Sequence, residues 1–486
     1  MLKNHTIKGL FWSFLERIGQ QGIQFVISII LARLLLPEQF GLIAMLTIFM
    51  AIAQSFVTSG FGSALIQKQD ASHLDECSIF YFNILAGFLV AGTLFLAAPW
   101  VAAFYRIPLL APLTRVLSLN LVINAFGVVH TALLTKRIDF KAQMKVSLVA
   151  TALSGSIGVA MAYNGYGVWS LVAQSIGSNL FRSALLWVFL PWRPTWIFSL
   201  DSLRSMFSFG SKLLFSGLLE TIYNNLYLIV IGKLFSPTDL GYYTRAQQTQ
   251  QLPVENLSST VGRVTFPIFS SIQDDEERMK RGIRKSLSAL AMVNFPLMIG
   301  LAVVAKPLVL VMLTEKWLPC VPYLQLLCMV GLLYPLHAIN LNVLIAMGRS
   351  DLFFRLEIYK KAMITAMIFI TYRWGIVAMI YGQIATSIIA YYINSYYTGK
   401  LLSYPITAQI REFAPVLGLA SIMGCGVYLA GYLPVQSTMM LLFSQVSIGV
   451  VLYVFLCSLT RISSFMEIVS MAQEKYQSIH HRGRYF

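Results

Sequence analysis

Charge is scarce in this chain. Asp, Glu, Lys and Arg make up 12% of 486 residues, about half the share usual in a soluble domain. Apolar residues make up 57%, and mean hydropathy is +0.70. That balance excludes a soluble globular enzyme and reads as a polytopic membrane protein. Cysteine is scarce too. Cys77, Cys320, Cys328, Cys425 and Cys457 are odd in number and scattered through apolar runs without CxxC spacing. Neither a disulfide framework nor a zinc site is expected from them, and packing is their simplest role. The histidines form no HExxH, and neither a GxxxxGK[ST] phosphate loop nor an Asp-rich metal motif is present. No metal and no cofactor is therefore expected, apart from an unassigned coupling cation, H+ or Na+.

Apolar runs of about 20 residues are what is there instead. The basic start, Met1 to Lys8, leads into a run that holds Glu16 and Arg17 and has no small-residue cleavage site, so it reads as a first span rather than a signal peptide. About fourteen helical spans are expected, near 9–35, 41–66, 77–105, 111–135, 143–163, 167–190, 209–234, 241–271, 286–313, 320–346, 353–373, 376–400, 412–432 and 437–460.

One stretch recurs. Arg33-Leu-Leu-Leu-Pro-Glu-Gln-Phe-Gly41 returns 200 positions later as Lys233-Leu-Phe-Ser-Pro-Thr-Asp-Leu-Gly241, with an apolar run on either side of both copies. The offset extends upstream, where Gln20 and Gln24 match Glu220 and Asn224, and downstream, where Thr58, Ser59 and Gly62 match Ser258, Ser259 and Gly262. A weaker repeat pairs Gly165-Tyr-Gly-Val-Trp-Ser-Leu-Val-Ala-Gln174 with Trp374-Gly-Ile-Val-Ala-Met-Ile-Tyr-Gly-Gln383. The chain thus reads as two related halves. With six spans in each, both copies point the same way, and the halves are expected to be related by a pseudo-two-fold axis along the membrane normal. The expected fold is all-α: an N-terminal six-helix lobe over 1–190, a cytoplasmic linker over 191–208, a second lobe over 209–400, two further helices over 401–460 and a cytoplasmic tail over 461–486. In the linker, Trp192 and Trp196 and the apolar positions Leu200, Leu203, Met206 and Phe207 suggest a strap lying on the membrane surface.

Orientation follows from the basic residues. Lys3, Lys8, Lys68, Lys136, Arg137, Lys141, Lys145, Arg193, Arg204, the cluster from Arg278 to Lys285, Arg349, Lys400, Arg411, Arg461, Lys475, Arg482 and Arg484 fall on one set of loops. The other set holds little beyond Arg106, Lys316 and Arg373. Positive charge marks the cytoplasmic side, which places both termini there. Much of the net charge of +16 is this orientation signal, and nucleic-acid binding is not expected.

The charges inside spans carry the functional reading. Ser13, Glu16, Gln20, Gln24 and Ser28 recur three or four apart and share one face of the first span, and Ser216, Glu220 and Asn224 repeat the pattern in the seventh. Two roles stay open for these stripes: lining of a shared cavity, or hydrogen bonding between helices. The other embedded charges are mainly cationic: Arg17, Arg182, Arg245, Arg263 and Lys306, with Glu255 as the acidic exception. An arginine at bilayer depth costs roughly 2.5–3.5 kcal/mol unless it faces water or a partner. Arginine also grips phosphate with paired hydrogen bonds. Arg17, Gln20, Gln24, Arg182, Asn224, Arg245, Arg263 and Lys306 are accordingly candidates for binding an anionic substrate, and Glu16, Glu220 and Glu255 for coupling or charge pairing. Glu255 and Arg263 share a helix face with Ser259, so a local structural pair is the competing explanation.

Several separated motifs then point to a family. Gln39-Phe-Gly-Leu-Ile-Ala44, Gly60-Phe-Gly-Ser-Ala-Leu-Ile-Gln-Lys68, Phe266-Pro-Ile-Phe-Ser-Ser-Ile-Gln-Asp-Asp275, and Glu315-Lys-Trp317 followed by Leu324-Gln-Leu-Leu-Cys-Met-Val-Gly-Leu-Leu333 resemble Wzx-type oligosaccharide flippases, most of all the colanic acid exporter branch. The resemblance runs to about Lys361. It implies the multidrug/oligosaccharidyl-lipid/polysaccharide exporter fold. It also implies transfer of an undecaprenyl-diphosphate-linked oligosaccharide across the bacterial inner membrane, with a polysaccharide polymerase and a chain-length regulator as candidate partners. Two rivals remain: a multidrug cation antiporter of the same fold, which the excess of embedded positive charge disfavours, and a membrane polymerase or ligase, which would need a sizeable external loop.

Overall fold

The computed structural model describes residues 2–58, 60–462, 465–466 and 470; Ser59, Lys475, Arg482 and Arg484 lie outside the described residues. Among the described residues, helix occupies each expected apolar run, but the runs 41–66, 209–234 and 286–313 are each split into two helices, with Gly60, Asn225 and Val304 lying between the pieces. The order is α1 (Leu2–Leu34), α2 (Pro37–Thr58), α3 (Phe61–Gln67), α4 (His73–Tyr105), α5 (Leu110–Lys136), α6 (Phe140–Tyr163), α7 (Val168–Phe189), α8 (Leu200–Asn224), α9 (Leu226–Leu234) and α10 (Pro237–Ser271). It continues with α11 (Glu276–Val303), α12 (Ala305–Met312), α13 (Cys320–Ala346), α14 (Ser350–Thr371), α15 (Gly375–Leu402), α16 (Ile406–Ala430) and α17 (Thr438–Thr460). Among the described residues, nine segments are long and apolar enough to cross a membrane by length and composition, one of them covering α14 and α15 together; the bent pair α8 and α9 makes ten. α1, α7 and α10 are as long but fall outside that set, because Glu16 and Arg17, Asn179 and Arg182, and the run from Arg245 to Arg263 make them more polar.

Local chemistry sets the helix starts. At α4, Ser72 Oγ accepts from the Asp75 amide at 3.3 Å and Asp75 Oδ2 accepts from the Ser72 amide at 2.9 Å, a reciprocal capping box. At α11, Asp275 Oδ1 accepts from the Arg278 amide at 2.9 Å, and Glu276 and Glu277 follow in the positive first turn.

The chain divides into two compact units, one ending at Thr244 and the next beginning at Arg245. In the first, α4 packs on α5, α6 on α7, α1 on α6, and α5 on α7. The residues of the expected strap behave in two ways. Trp192, Leu203 and Met206 are buried in a core with Phe61, Phe80 and Leu133, whereas Trp196 is 95% exposed and stacks on Tyr81 at 5.5 Å. The apolar stripe from Leu200 is the first two turns of α8 itself. In the second unit, α11 packs on α13 and α16, α13 on α15, and α16 on α17.

The duplicated element is visible atom by atom. α1 ends at Leu34 and α2 begins at Pro37, and α9 ends at Leu234 and α10 begins at Pro237, the same positions at the 200-residue offset. Gln39 Oε1 accepts from the Leu36 amide at 3.1 Å, and Asp239 Oδ2 accepts from the Ser236 amide at 3.4 Å. The two copies also touch within the first unit: a Cβ on Gly41 would fall on the Pro237 carbonyl, and a Cβ on Gly241 would fall on the Pro37 carbonyl. Only glycine permits that approach of backbone to backbone. The weaker repeat is kept too, as Gly167 and Gly375 open α7 and α15 with φ of 58° and 91°.

Candidate functional site

In the first unit the polar stripe of α1 is half-buried at Glu16, Arg17 and Gln20 and exposed at Gln24. α6 packs on α1 and closes on its acid. Ser147 Oγ of α6 donates to Glu16 Oε1 at 2.8 Å, and the Arg182 guanidinium of α7 acts on the same carboxylate. Small residues let these helices approach: Gly19 lies against Leu148, Gly155 against Ile27, and Gly177 against Ser154. A second polar cluster joins α5 to α7, where Asn120 Nδ2 donates to Ser175 Oγ at 3.0 Å and Asn179 Nδ2 donates to Asn120 Oδ1 at 3.1 Å.

Glu220 and Asn224 of α8 are both exposed. Asn224 is the last residue of α8, and the chain bends by 45° before α9. Asn225 Nδ2 donates to the Thr221 carbonyl at 2.8 Å, beside the Asn225 amide, which donates to the same oxygen at 3.3 Å. The matching stretch of α1 around Gln24 is unbroken helix, so the two halves differ here.

In the second unit Arg245 is 7% exposed, with its guanidinium 5.3 Å from the centroid of the Trp317 ring, a buried cation–π contact. Glu255 and Arg263 are exposed on one face of α10 with half-buried Ser259 between them, and Lys306 is exposed in the first turn of α12. Arg263 and Lys306 are thus exposed, whereas Arg182 acts on the Glu16 carboxylate.

Sequence reasoning passed over several polar groups. Glu357 and Lys360 pair on α14, with side chains 28% and 14% exposed; an acid and a base three apart inside an apolar run was the available signal. His337 of α13 meets Ser387 and Asn394 of α15. Fully buried Gln409 of α16 accepts from Asn340 Nδ2 at 3.1 Å and from the Tyr391 hydroxyl at 2.7 Å. Single polar residues spread over three helices leave no local pattern. Among the described residues, no group of three or more His, Cys, Asp or Glu side chains could hold a metal ion.

Comparison with known proteins agrees with this architecture. The chain is 29% identical over 405 residues to the lipopolysaccharide biosynthesis protein WzxC of Escherichia coli (strain K12), covering 81% of each chain. It is 29% identical over 425 residues to the teichuronic acid biosynthesis protein TuaB of Bacillus subtilis (strain 168), covering 83% of this chain and 85% of that one. It is 30% identical over 325 residues to the succinoglycan biosynthesis transport protein ExoT of Rhizobium meliloti (strain 1021), covering 67% and 66%. Among solved structures, the fold is shared with the lipid II flippase MurJ in an inward closed conformation, with a TM-score of 0.75 at 13% identity over 93% of this chain and 98% of that one. It is shared also with an inward-facing multidrug resistance MATE transporter, with a TM-score of 0.63 at 13% identity over 79% and 96%. Residues 30–322, more than half of the chain, match the sequence model of one family, and the protein belongs to it: the polysaccharide biosynthesis protein family.

Proposed function

We propose that the protein is a flippase. It moves an undecaprenyl-diphosphate-linked oligosaccharide from the cytoplasmic to the periplasmic leaflet of a bacterial inner membrane, for assembly of a surface polysaccharide. The observation that carries this reading is family membership along more than half of the chain, joined to a fold shared with a lipid II flippase. Relatives named for polysaccharide biosynthesis, one of them a transport protein, support it. Transport, rather than polymerisation of the same sugars, is the activity.

The chemistry of the headgroup dictates what the protein must supply. A diphosphate carries two negative charges and cannot cross the hydrocarbon core bare, so the site must be wet and cationic. Arg263 and Lys306, both exposed, are the residues assigned to hold the diphosphate. Glu255, exposed on the same helix as Arg263, is assigned to pair with those cations when substrate is absent, and exposed Glu220 is assigned to coupling. The two six-helix halves exchange access between leaflets while the polyprenyl tail stays in lipid.

The test is reconstitution in proteoliposomes with a fluorescent undecaprenyl-diphosphate-linked oligosaccharide, scoring how much label becomes reachable from the opposite leaflet. Wild-type protein should flip it, and no flipping by correctly inserted protein overturns the reading. Arg263→Ala and Glu220→Ala should each abolish flipping with insertion intact. Unchanged flipping in both removes these residues from the site.

A further inference from the structure

α13 and α15 enclose a polar network that the flippase reading has not used. His337 Nε2 lies 3.3 Å from Ser387 Oγ, and His337 Nδ1 lies 3.3 Å from Asn394 Nδ2. Ser387 Oγ donates its one proton to the Val330 carbonyl at 3.4 Å, so towards His337 it can only accept, and Nε2 carries the ring proton. Asn394 Nδ2 is a donor, so Nδ1 presents its lone pair. These contacts together fit a neutral ring in the Nε2–H tautomer. Asn394 is fully buried, yet its Oδ1 has no hydrogen-bond partner. A half-turn of the amide about Cβ–Cγ would aim that oxygen at Nδ1, an arrangement that is favourable only if Nδ1 bears a proton.

We propose that His337, Asn394 and Ser387 form the binding site of the coupling proton, an assignment that rests on the flippase reading and deepens it. A hydronium ion breaks one O–H bond and leaves as water, its proton forms an N–H bond at Nδ1, Nε2–H stays in place, and the site gains one positive charge. After the amide turns, Asn394 Oδ1 accepts from Nδ1–H, while Ser387 Oγ continues to accept from Nε2–H. The imidazolium is then satisfied at both nitrogens.

The neighbouring elements set what opposes and what supports this charge. From α14, Lys360 acts on the imidazole and is itself paired with Glu357. From α15, the Tyr391 ring stands edge-on at 5.7 Å. Gln409 of α16 is committed to Asn340 and Tyr391, Asn294 of α11 to the Gly331 and Leu332 carbonyls, and α12 carries Lys306 and no acid. Burial of the ring is the main opponent of the charge and Lys360 adds to it, so uptake is favoured when water reaches the ring and when Glu357 or an incoming diphosphate draws the Lys360 charge away.

Two readouts test the site. In proteoliposomes, wild-type flipping should accelerate severalfold when the outer compartment is acidified, and His337→Gln should lose that response. In nanodiscs, 15N-histidine signals assigned by the same substitution should pass from the Nε2–H tautomer to imidazolium over the pH range in which flipping responds. Lys360→Met should shift that transition to higher pH, and Asn394→Leu to lower pH. Where His337→Gln does not fold, Ser387→Ala, which removes the Nε2–H acceptor, serves for assignment. A folded His337→Gln variant that responds to the gradient as wild type does, or a ring that stays neutral throughout that range, overturns the proposal. If no flipping occurs at all, the function falls while the site is still decided by the nitrogen signals over the range in which the protein stays folded, a ring neutral throughout being the failure.

Discussion

At the scale of single residues, Glu16 is where the two roles that sequence leaves open for the polar stripe of α1 can be told apart. Its carboxylate accepts from Ser147 at 2.8 Å and stands under the influence of Arg182, so three helices share one charge. Hydrogen bonds between membrane helices average about 0.6 kcal/mol and reach about 1.7 kcal/mol, and a charged acceptor belongs at the upper end. Ser147→Ala is therefore expected to cost about 1 kcal/mol, and Glu16→Gln a similar amount. Both should appear as a lowered midpoint of thermal unfolding in detergent, followed by intrinsic fluorescence. If neither variant loses stability while flipping fails, Glu16 lines the transport path instead of joining helices. The periodicity of the stripe was legible in sequence because α1 is one unbroken helix. Its partners were not, because Ser147 and Arg182 lie 131 and 166 positions away along the chain.

At the scale of elements, the crossing of the two repeat copies is the most constrained point of the first unit. Alanine is the better helix former than glycine by about 1 kcal/mol. At Gly22, where a methyl group would meet nothing within 4 Å, Gly22→Ala should stabilise the protein by up to about that amount. At Gly41 and Gly241 the same methyl would land on a carbonyl oxygen of the opposite copy. Overpacking against flexible side chains already costs about 1–3 kcal/mol, and backbone yields less than a side chain. The clash outweighs the gain, and Gly41→Ala or Gly241→Ala should lower the unfolding midpoint where Gly22→Ala raises it. A midpoint unchanged in both would mean that the two helix starts separate freely.

The same contact shows what kind of structural information a sequence holds. The helix breaks after Leu34 and Leu234 were legible, because proline and glycine fix backbone geometry locally, but the next helices start at Pro37 and Pro237, four residues before the expected 41 and 241, since proline is at home in a first helical turn. The 45° bend after Asn224 was not legible. Asn225 lies in a run with neither proline nor glycine, and the break is stabilised by its own side chain on the Thr221 carbonyl. The pair Glu357 and Lys360 was hidden in another way: the run from 353 to 373 is apolar enough to read as a plain span, and only the fold shows its Lys360 acting on His337 of α13.

At the scale of the whole molecule, the charge carried per cycle ties the substrate to the proposed proton site. Moving one elementary charge through the membrane potential is worth about 2.3 kcal/mol per 100 mV. A diphosphate leaving a negative interior moves two negative charges outward, a gain of about 4.6 kcal/mol per 100 mV. If one proton enters through His337 in the same cycle, a third charge moves in the favourable sense and the gain rises to about 6.9 kcal/mol per 100 mV. In proteoliposomes clamped with potassium and valinomycin, the steady-state ratio of labelled lipid between leaflets should therefore change steeply with potential. Its slope should correspond to three charges in the wild type and two in His337→Gln. A slope of two in both would confine the voltage dependence to the headgroup and leave His337 without a part in coupling. A slope near zero would mean that the protein moves its own compensating cations with the substrate, with Arg263 and Lys306 the first to examine by substitution.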